Sequence, residues 1–200
     1  MANNFVNSFA SIVTAGEFYQ SNASDASTGP QTIYTANNGS SGVNSILIEL
    51  DAANTGTSGI TVSAFIQDTS STLGSITSIV SSSDVATVTT GSAHGLKVGQ
   101  YVNVTGSTTN FVNGMYKVAS VPSTTTFTYA QNSSAADGTA AGTKVIYKAY
   151  HIVKDAPIPA SATLKVVAGQ KVVLNSNDKV IAYASAGTCD IVAGILQEVT

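Results

Sequence analysis

The sequence predicts an all-β protein in which an antiparallel, jelly-roll-like β-sandwich forms a host domain and a small β-barrel or β-sandwich module is inserted into it. Short runs of alternating apolar and polar residues recur along the chain, as expected of strands, whose successive side chains point to opposite faces. Turn residues separate these runs at intervals of roughly ten residues, which is the strand spacing of a sandwich. Because 43% of the 200 residues are hydrophobic, the chain can bury a sizeable core.

Residues 1–30 are predicted to form an amino-terminal arm. Phe5, Phe9, Ile12 and Val13 have a helix-like spacing, although the Asn and Ser residues among them disfavour a helix. We take these four residues as candidate partner-binding residues, because an arm or short helix would be able to dock on a neighbouring subunit. The alternative is that the segment packs back onto its own domain.

The host domain is predicted to comprise residues 31–76 and 144–200. Its strands are expected at Thr32–Thr35, Ser45–Asp51 and Ile60–Asp68, and after the module at Tyr147–Val153, Thr163–Val167, Lys171–Leu174, Lys179–Ser185 and Cys189–Val199. Neither flank alone has enough strands to close two packed sheets. The two flanks are therefore predicted to combine into one sandwich.

The inserted module is predicted to span residues 77–143. Its strands are expected at Val85–Thr90, Tyr101–Thr105, Met115–Val121 and Thr126–Tyr129, with a turn at Ala93–Leu96 and another at Asn113-Gly114. The stretches Thr69–Ser83 and Gln131–Thr143 are rich in Ser, Thr, Ala and Gly, which is typical of linkers between compact units. The module is thus expected to be an exposed insertion whose removal spares the host fold.

The charge pattern excludes some partners and favours others. Only 10% of residues are charged, the net charge is -3, and all eight basic residues are lysines, which argues against binding to nucleic acid. No segment approaches the roughly twenty apolar residues needed to cross a bilayer, so no membrane partner is expected. A weakly charged surface lacks the repulsion that keeps proteins apart, and this favours association with other proteins.

The residues with reactive or metal-binding side chains have simpler structural interpretations, so no catalytic residue, cofactor or metal is predicted. His94 lies in an Ala-His-Gly-Leu turn, and His151 alternates along a predicted strand with no second histidine nearby. Cys189 is the one cysteine and lies in an apolar run, as expected of a small core residue. The acidic residues form no dense pair, although carboxylates distant in sequence can still converge in space.

Three segments of the chain resemble structural proteins of tailed bacteriophages. Residues 86–129 resemble a small β module that recurs in such proteins. Residues 45–66 and 155–199 resemble a family of phage virion β-sandwich proteins with an Asn-Thr-Gly turn, here Asn54–Gly56, a Pro-Ile-Pro turn, here Pro157–Pro159, and a Val-Leu-x-x-x-Asp turn, here Val173–Asp178. The resemblance carries over no catalytic or ligand residue.

This resemblance implies a non-enzymatic virion component made in the host cytoplasm. The expected function is that of a capsid decoration, or cement, protein that binds the shell and stabilises it. Two alternatives stay open: a neck, baseplate or tail-fibre-attachment component, and a glycan-binding virion protein with contacts in the loop Ser107–Asn113. The expected partners are the major capsid protein or other virion proteins, together with copies of the same chain in a trimer or ring.

Overall fold

The computed structural model describes residues 4–12, 30–36, 44–108, 112–131 and 137–199. These ranges contain β-strands and turns but no α-helix, and every strand pairing with a resolved register is antiparallel. The prediction of an all-β antiparallel sandwich is confirmed. In chain order the strands are β1 (Asn4–Ile12), β2 (Gln31–Thr35), β3 (Asn44–Asn54), β4 (Ile60–Thr72), β5 (Ile76–Ser82), β6 (Val85–Thr90), β7 (Tyr101–Thr105), β8 (Gly114–Ser123), β9 (Thr126–Ala130), β10 (Gly138–Thr139), β11 (Val145–Ile158), β12 (Thr163–Leu174), β13 (Lys179–Ala184) and β14 (Cys189–Val199).

The chain divides into two compact units. The first contains the described residues within 1–16, 31–70 and 150–200, and the second contains those within 17–30 and 71–149. The predicted insertion, residues 77–143, lies within the second unit. That it folds independently stays a prediction.

The first unit contains a four-stranded sheet in the order β1, β14, β3, β12. Alternation along β3 and β14 buries one face of this sheet, including Leu47 and Leu50 on β3 and Ile191 and Ile195 on β14. The strands β2, β13, β4 and the later part of β11 follow one another in a second sheet. The buried residues of both sheets belong to one apolar core, so the first unit is a sandwich.

The turn after β3 is held by the buried side chain of Asn54. Its amide nitrogen donates to the carbonyl oxygens of Ser58, Ile158 and Pro159 at 2.8, 3.2 and 3.0 Å. Its amide oxygen accepts from the backbone N–H of Gly56 at 2.9 Å and from the Thr188 hydroxyl at 3.3 Å. The Asn-Thr-Gly and Pro-Ile-Pro turns, about a hundred residues apart in the chain, are thus joined by one side chain.

The second unit has its own core. The strands β5, β6, β9, β8, β7 and the first part of β11 are hydrogen-bonded neighbours in that order, and β10 pairs with β5. Two buried tyrosines, Tyr116 and Tyr129, stack within this core with ring centroids 4.1 Å apart. Gly106 has a φ of +79°, and a Cβ atom there would lie 2.1 Å from the carbonyl oxygen of Thr143, so glycine is required at this close approach of two backbones.

The helix-like spacing at the amino terminus does not produce a helix in the described residues. Residues 4–12 form β1, and all nine pair with β14 in an unbroken register. A spacing of four residues, as between Phe5 and Phe9, places two side chains on the same face of a strand as well as of a helix. Val13 lies outside the described residues.

Two further sequence expectations are wrong in detail. The predicted linker Thr69–Ser83 contains β5, because β-branched Ile, Val and Thr residues form a strand even in a Ser-rich stretch. The strands predicted at Thr163–Val167 and Lys171–Leu174 are one continuous strand, β12, which carries β-bulges opposite β3. Gly169 has a φ of +74°, so it accommodates a bulge instead of a chain reversal.

Candidate interaction surface

The candidate surface is the face of the four-stranded sheet that points away from the core, here called the outer face. Alternation along each strand places on it Phe5, Asn7, Phe9 and Ser11 from β1, Asp190, Val192 and Leu196 from β14, Ile46, Glu49 and Asp51 from β3, and Lys165, Ala168 and Val173 from β12. Soluble proteins usually present polar residues on such a face. Here apolar side chains occupy much of it.

One row of apolar side chains crosses the whole sheet. Phe5 pairs with Leu196, Leu196 with Ile46, and Ile46 with Val173, so the four side chains are cross-strand neighbours on one face. Phe5 is 73% exposed and Val173 is 57% exposed at the two ends of the row. Phe9, which is 69% exposed, pairs with the exposed Val192 and extends the apolar area along β1 and β14.

Charged groups occupy the other side of the outer face. The Nζ atom of Lys165 lies 3.4 Å from Glu49 Oε1 and 3.5 Å from Asp51 Oδ2. The hydrogen bond with Glu49 and the negative charge of Asp51 raise the pKa of Lys165. The Ser11 hydroxyl donates to Asp190 Oδ1 at 2.6 Å. Lys165 and Glu49 are exposed and Asp51 is half-buried, so the exposed pair contributes polarity and orientation to the surface more than binding energy.

The two edges of this sheet differ in how they are protected. At one edge, β12 is interrupted by bulges, and Lys165 and Lys171 lie on it, features by which proteins blunt an edge against further strand pairing. At the other edge, β1 has nine residues without a charge, a proline, a glycine or a bulge. Within the described residues no strand pairs with β1 on the side away from β14.

The structure separates the four residues predicted to bind a partner. Phe5 and Phe9 lie together on the outer face, whereas Ile12 is buried in the core of the first unit and Val13 falls outside the described residues. A role of the two phenylalanines in binding stays a prediction. Sequence reasoning missed Leu196, Ile46 and Val173, because only strand pairing brings them into one row with Phe5.

The titratable residues considered from the sequence have structural partners. His94 Nδ1 accepts from the backbone N–H of Leu96 at 3.0 Å, which closes the turn, and its ring meets Phe127 edge-on at 5.2 Å. The ring of His151 lies 6.1 Å from that of Phe65, and burial lowers the pKa of His151. Burial raises the pKa of Cys189 to about 11, so its thiol is protonated at neutral pH.

A polar cluster around Asp155 stabilises a special backbone position. Asp155 has a φ of +49° within β11. Its N–H donates to Ser63 Oγ at 2.8 Å, and its Oδ1 accepts from the Ser63 and Tyr183 hydroxyls at 3.2 and 3.4 Å. A hydrogen bond from Lys154 is the main cause that lowers the pKa of Asp155. Because Ser63 is fully buried and its hydroxyl donates to Asp155, these hydrogen bonds stabilise the positive φ of Asp155.

The described residues contain no group of three or more His, Cys, Asp or Glu side chains arranged to hold a metal ion. The same part of the chain has no helix that is long and apolar enough to cross a membrane.

Comparisons with known proteins do not assign the chain. No model of a known protein family matches it. No curated protein sequence matches it significantly either. A functional assignment therefore depends on the chemistry of the chain's own residues.

Proposed function

We propose that the chain is a non-enzymatic structural protein of a tailed-bacteriophage virion, and that it acts as a capsid decoration, or cement, protein. The observation that carries the proposal is the outer face, with its apolar row from Phe5 to Val173 and its uncharged β1 edge. Contiguous apolar surface of this kind usually marks a protein interaction site. The virion assignment is supported by the resemblance of residues 45–66, 86–129 and 155–199 to phage structural proteins.

A cement protein needs surface complementarity and not catalysis. Covering the outer face with capsid protein removes apolar area from water, and about 25 cal/mol is gained for each Å² of apolar surface buried. Each copy then contributes a modest free energy. Copies that are linked to one another and to the shell sum these contributions into avidity, which opposes the outward pressure of packaged DNA.

The location is tested by the copy number in purified virions, measured by quantitative mass spectrometry and by reconstruction of the particle. A decoration protein is expected in many copies over the capsid surface. A handful of copies per particle, or copies that copurify with detached tails, would instead support the neck, baseplate or fibre-attachment alternative. Binding to a glycan array would support the glycan-binding alternative.

The surface is tested by a matched pair of substitutions. Val173 lies on the outer face and is 57% exposed, and Val98 lies in the second unit and is 63% exposed. V173D places a charge in the proposed contact, so we expect at least a tenfold loss of binding to undecorated shells. V98D is expected to bind as the wild type does. Equal binding by both variants would show that the outer face does not contact the shell.

A further inference from the structure

The β1 edge has the features of a strand that another strand covers. Its backbone N–H and C=O groups on the side away from β14 have no strand partner within the described residues. Proteins usually protect such an edge with charges, prolines or bulges, and the opposite edge of the same sheet has both bulges and lysines. The absence of all three from β1 leaves this edge competent for pairing.

The exposed side chains of β1 form a self-complementary pattern. Along the outer face the strand presents Phe5, Asn7, Phe9 and Ser11, and from Phe5 to Phe9 these side chains read the same in both directions about Asn7. An antiparallel copy centred on Asn7 would therefore place matching outer-face side chains opposite one another over this segment, whereas Val6 and Ser8 lie opposite each other on the inner face. A two-fold interface requires this property, because each subunit contributes the same patch.

We propose that two copies of the chain pair through β1 in an antiparallel register centred on Asn7. Phe5 then lies opposite Phe9 of the partner subunit, Phe9 lies opposite the partner's Phe5, and Asn7 lies opposite the partner's Asn7. Both aromatic pairs are direct cross-strand neighbours on the outer face. The two four-stranded sheets join into one continuous sheet of eight strands, and the outer faces of both subunits point to the same side.

The size of this contact indicates a reversible dimer. A buried phenylalanine covers roughly 150–250 Å², and the two rings of each copy are 73% and 69% exposed, so the four rings together offer roughly 400–700 Å². In this register residues 4–10 of the two β1 strands pair with one another, and their backbones bring the total toward the ~1,000 Å² of a specific interface. The dimer does not depend on the proposed virion function, and its failure would leave that function standing.

Charge substitutions at Asn7 test the register on the full-length chain. We expect sedimentation of the wild type between about 1 and 100 µM to show a monomer–dimer equilibrium. N7K and N7D each place like charges opposite one another and should weaken the dimer at least tenfold, whereas an equimolar mixture should restore it to within about threefold of the wild type. Q170K, at the exposed opposite edge, should leave it unchanged. Thermal melting of each variant checks that it is folded.

Disulfide formation gives an independent measurement of the same register. N7C brings two cysteine Cα atoms to about 4.5–5.5 Å, which permits a disulfide, so mild oxidation should yield a covalent dimer. S11C is the control, since in this register the two Ser11 positions are about 26 Å apart and should not cross-link. The native Cys189 is buried and does not compete.

Three results would overturn the proposal. One is a wild-type chain that is monomeric at every concentration together with an N7C variant that forms no cross-link. This result would mean that another segment of the chain or a different protein covers the edge. Another is self-association that persists in N7K and N7D. The third is a trimer or larger ring with no two-fold cross-link at Asn7.

Discussion

Replacing Asn54 with aspartate is expected to lower the free energy of unfolding by about 3–5 kcal/mol. The Asn54 side chain is 2% exposed, and its two amide N–H groups are shared among the carbonyl oxygens of Ser58, Ile158 and Pro159. Aspartate presents a second oxygen instead, so these carbonyls lose their donor and face a negative charge. A buried acceptor without a donor costs about 1–3 kcal/mol, and the bonds to Ser58 and Pro159 are only partly buried, which sets the upper limit.

Urea denaturation followed by intrinsic tyrosine fluorescence or circular dichroism measures this loss. For a chain of this length a change of 1 kcal/mol shifts the melting temperature by about 2–4 °C, so N54D is expected to melt about 6–20 °C below the wild type. The matched control is T188V, because Thr188 is exposed and its hydroxyl contributes a single 3.3 Å bond to Asn54. It should cost less than about 1 kcal/mol.

The comparison between the two variants decides the outcome. If N54D destabilises the protein no more than T188V, the amide of Asn54 does not hold the two turns together. A second measurement examines N54D in a chain whose loop containing Ser58 has been removed. If N54D no longer lowers the urea midpoint in that chain, the bonds to the Ile158 and Pro159 carbonyls contribute nothing and the same conclusion follows.

The remaining predictions concern the second unit and two titratable groups. G106A should destabilise the protein by several kcal/mol more than G95A. Both glycines have positive φ, but of the two only Gly106 lies where an added Cβ would meet a backbone oxygen, that of Thr143. Equal melting temperatures of the two variants would contradict this prediction. Burial lowers the pKa of His151, so its neutral form stabilises the fold above about pH 6.5 and this contribution is lost as the pH falls. The free energy of unfolding of H151Q should therefore depend less on pH between about 7 and 5 than that of the wild type. With a pKa near 11 against 9.0 for an ordinary thiol, Cys189 should react about a hundredfold more slowly with a thiol reagent at pH 8 in the folded than in the unfolded chain.

The strands with strong alternation could be predicted from sequence. In β4, apolar residues recur at every second position from Ile60 to Ile66, and the strand extends a few residues beyond its predicted end. In such a strand the alternation indicates which face is buried, because a shift of one residue in the pairing register would exchange the two faces. The strand β3 was predicted too, but its buried face was not, because Ile46, Leu47 and Ile48 are consecutive and a register shift there places Leu47 and Leu50 in the core. The strand β5 lacks such contrast, since Ser and Thr are common in both linkers and weakly charged strands.

The candidate surface could not be predicted, because it depends on pairing between distant segments. Phe5 and Val173 become the two ends of one apolar row only when β14 and β3 lie between β1 and β12. Sequence patterns fix the face of each strand separately but not the order of strands in a sheet. The order of strands also determines which strands form the protected and the unprotected edge, so these two edges could not be predicted from the sequence either.

The register of β1 supports a functional reason for its exposed phenylalanines. A slip of one residue against β14 would turn Phe5 and Phe9 toward the core and expose Val6, Ala10 and Ile12 instead. The observed register keeps the smaller residues inside, where the Ser8 hydroxyl also donates to the Ile33 carbonyl across the sandwich. The volume of the core thus explains why the two rings lie on the outer face. It does not explain why these positions are phenylalanine, because a chain with polar residues there would fold equally well and expose less apolar area. The proposed pairing through β1 would cover both rings, and the Asn7 substitutions distinguish a second copy of the chain from any other partner.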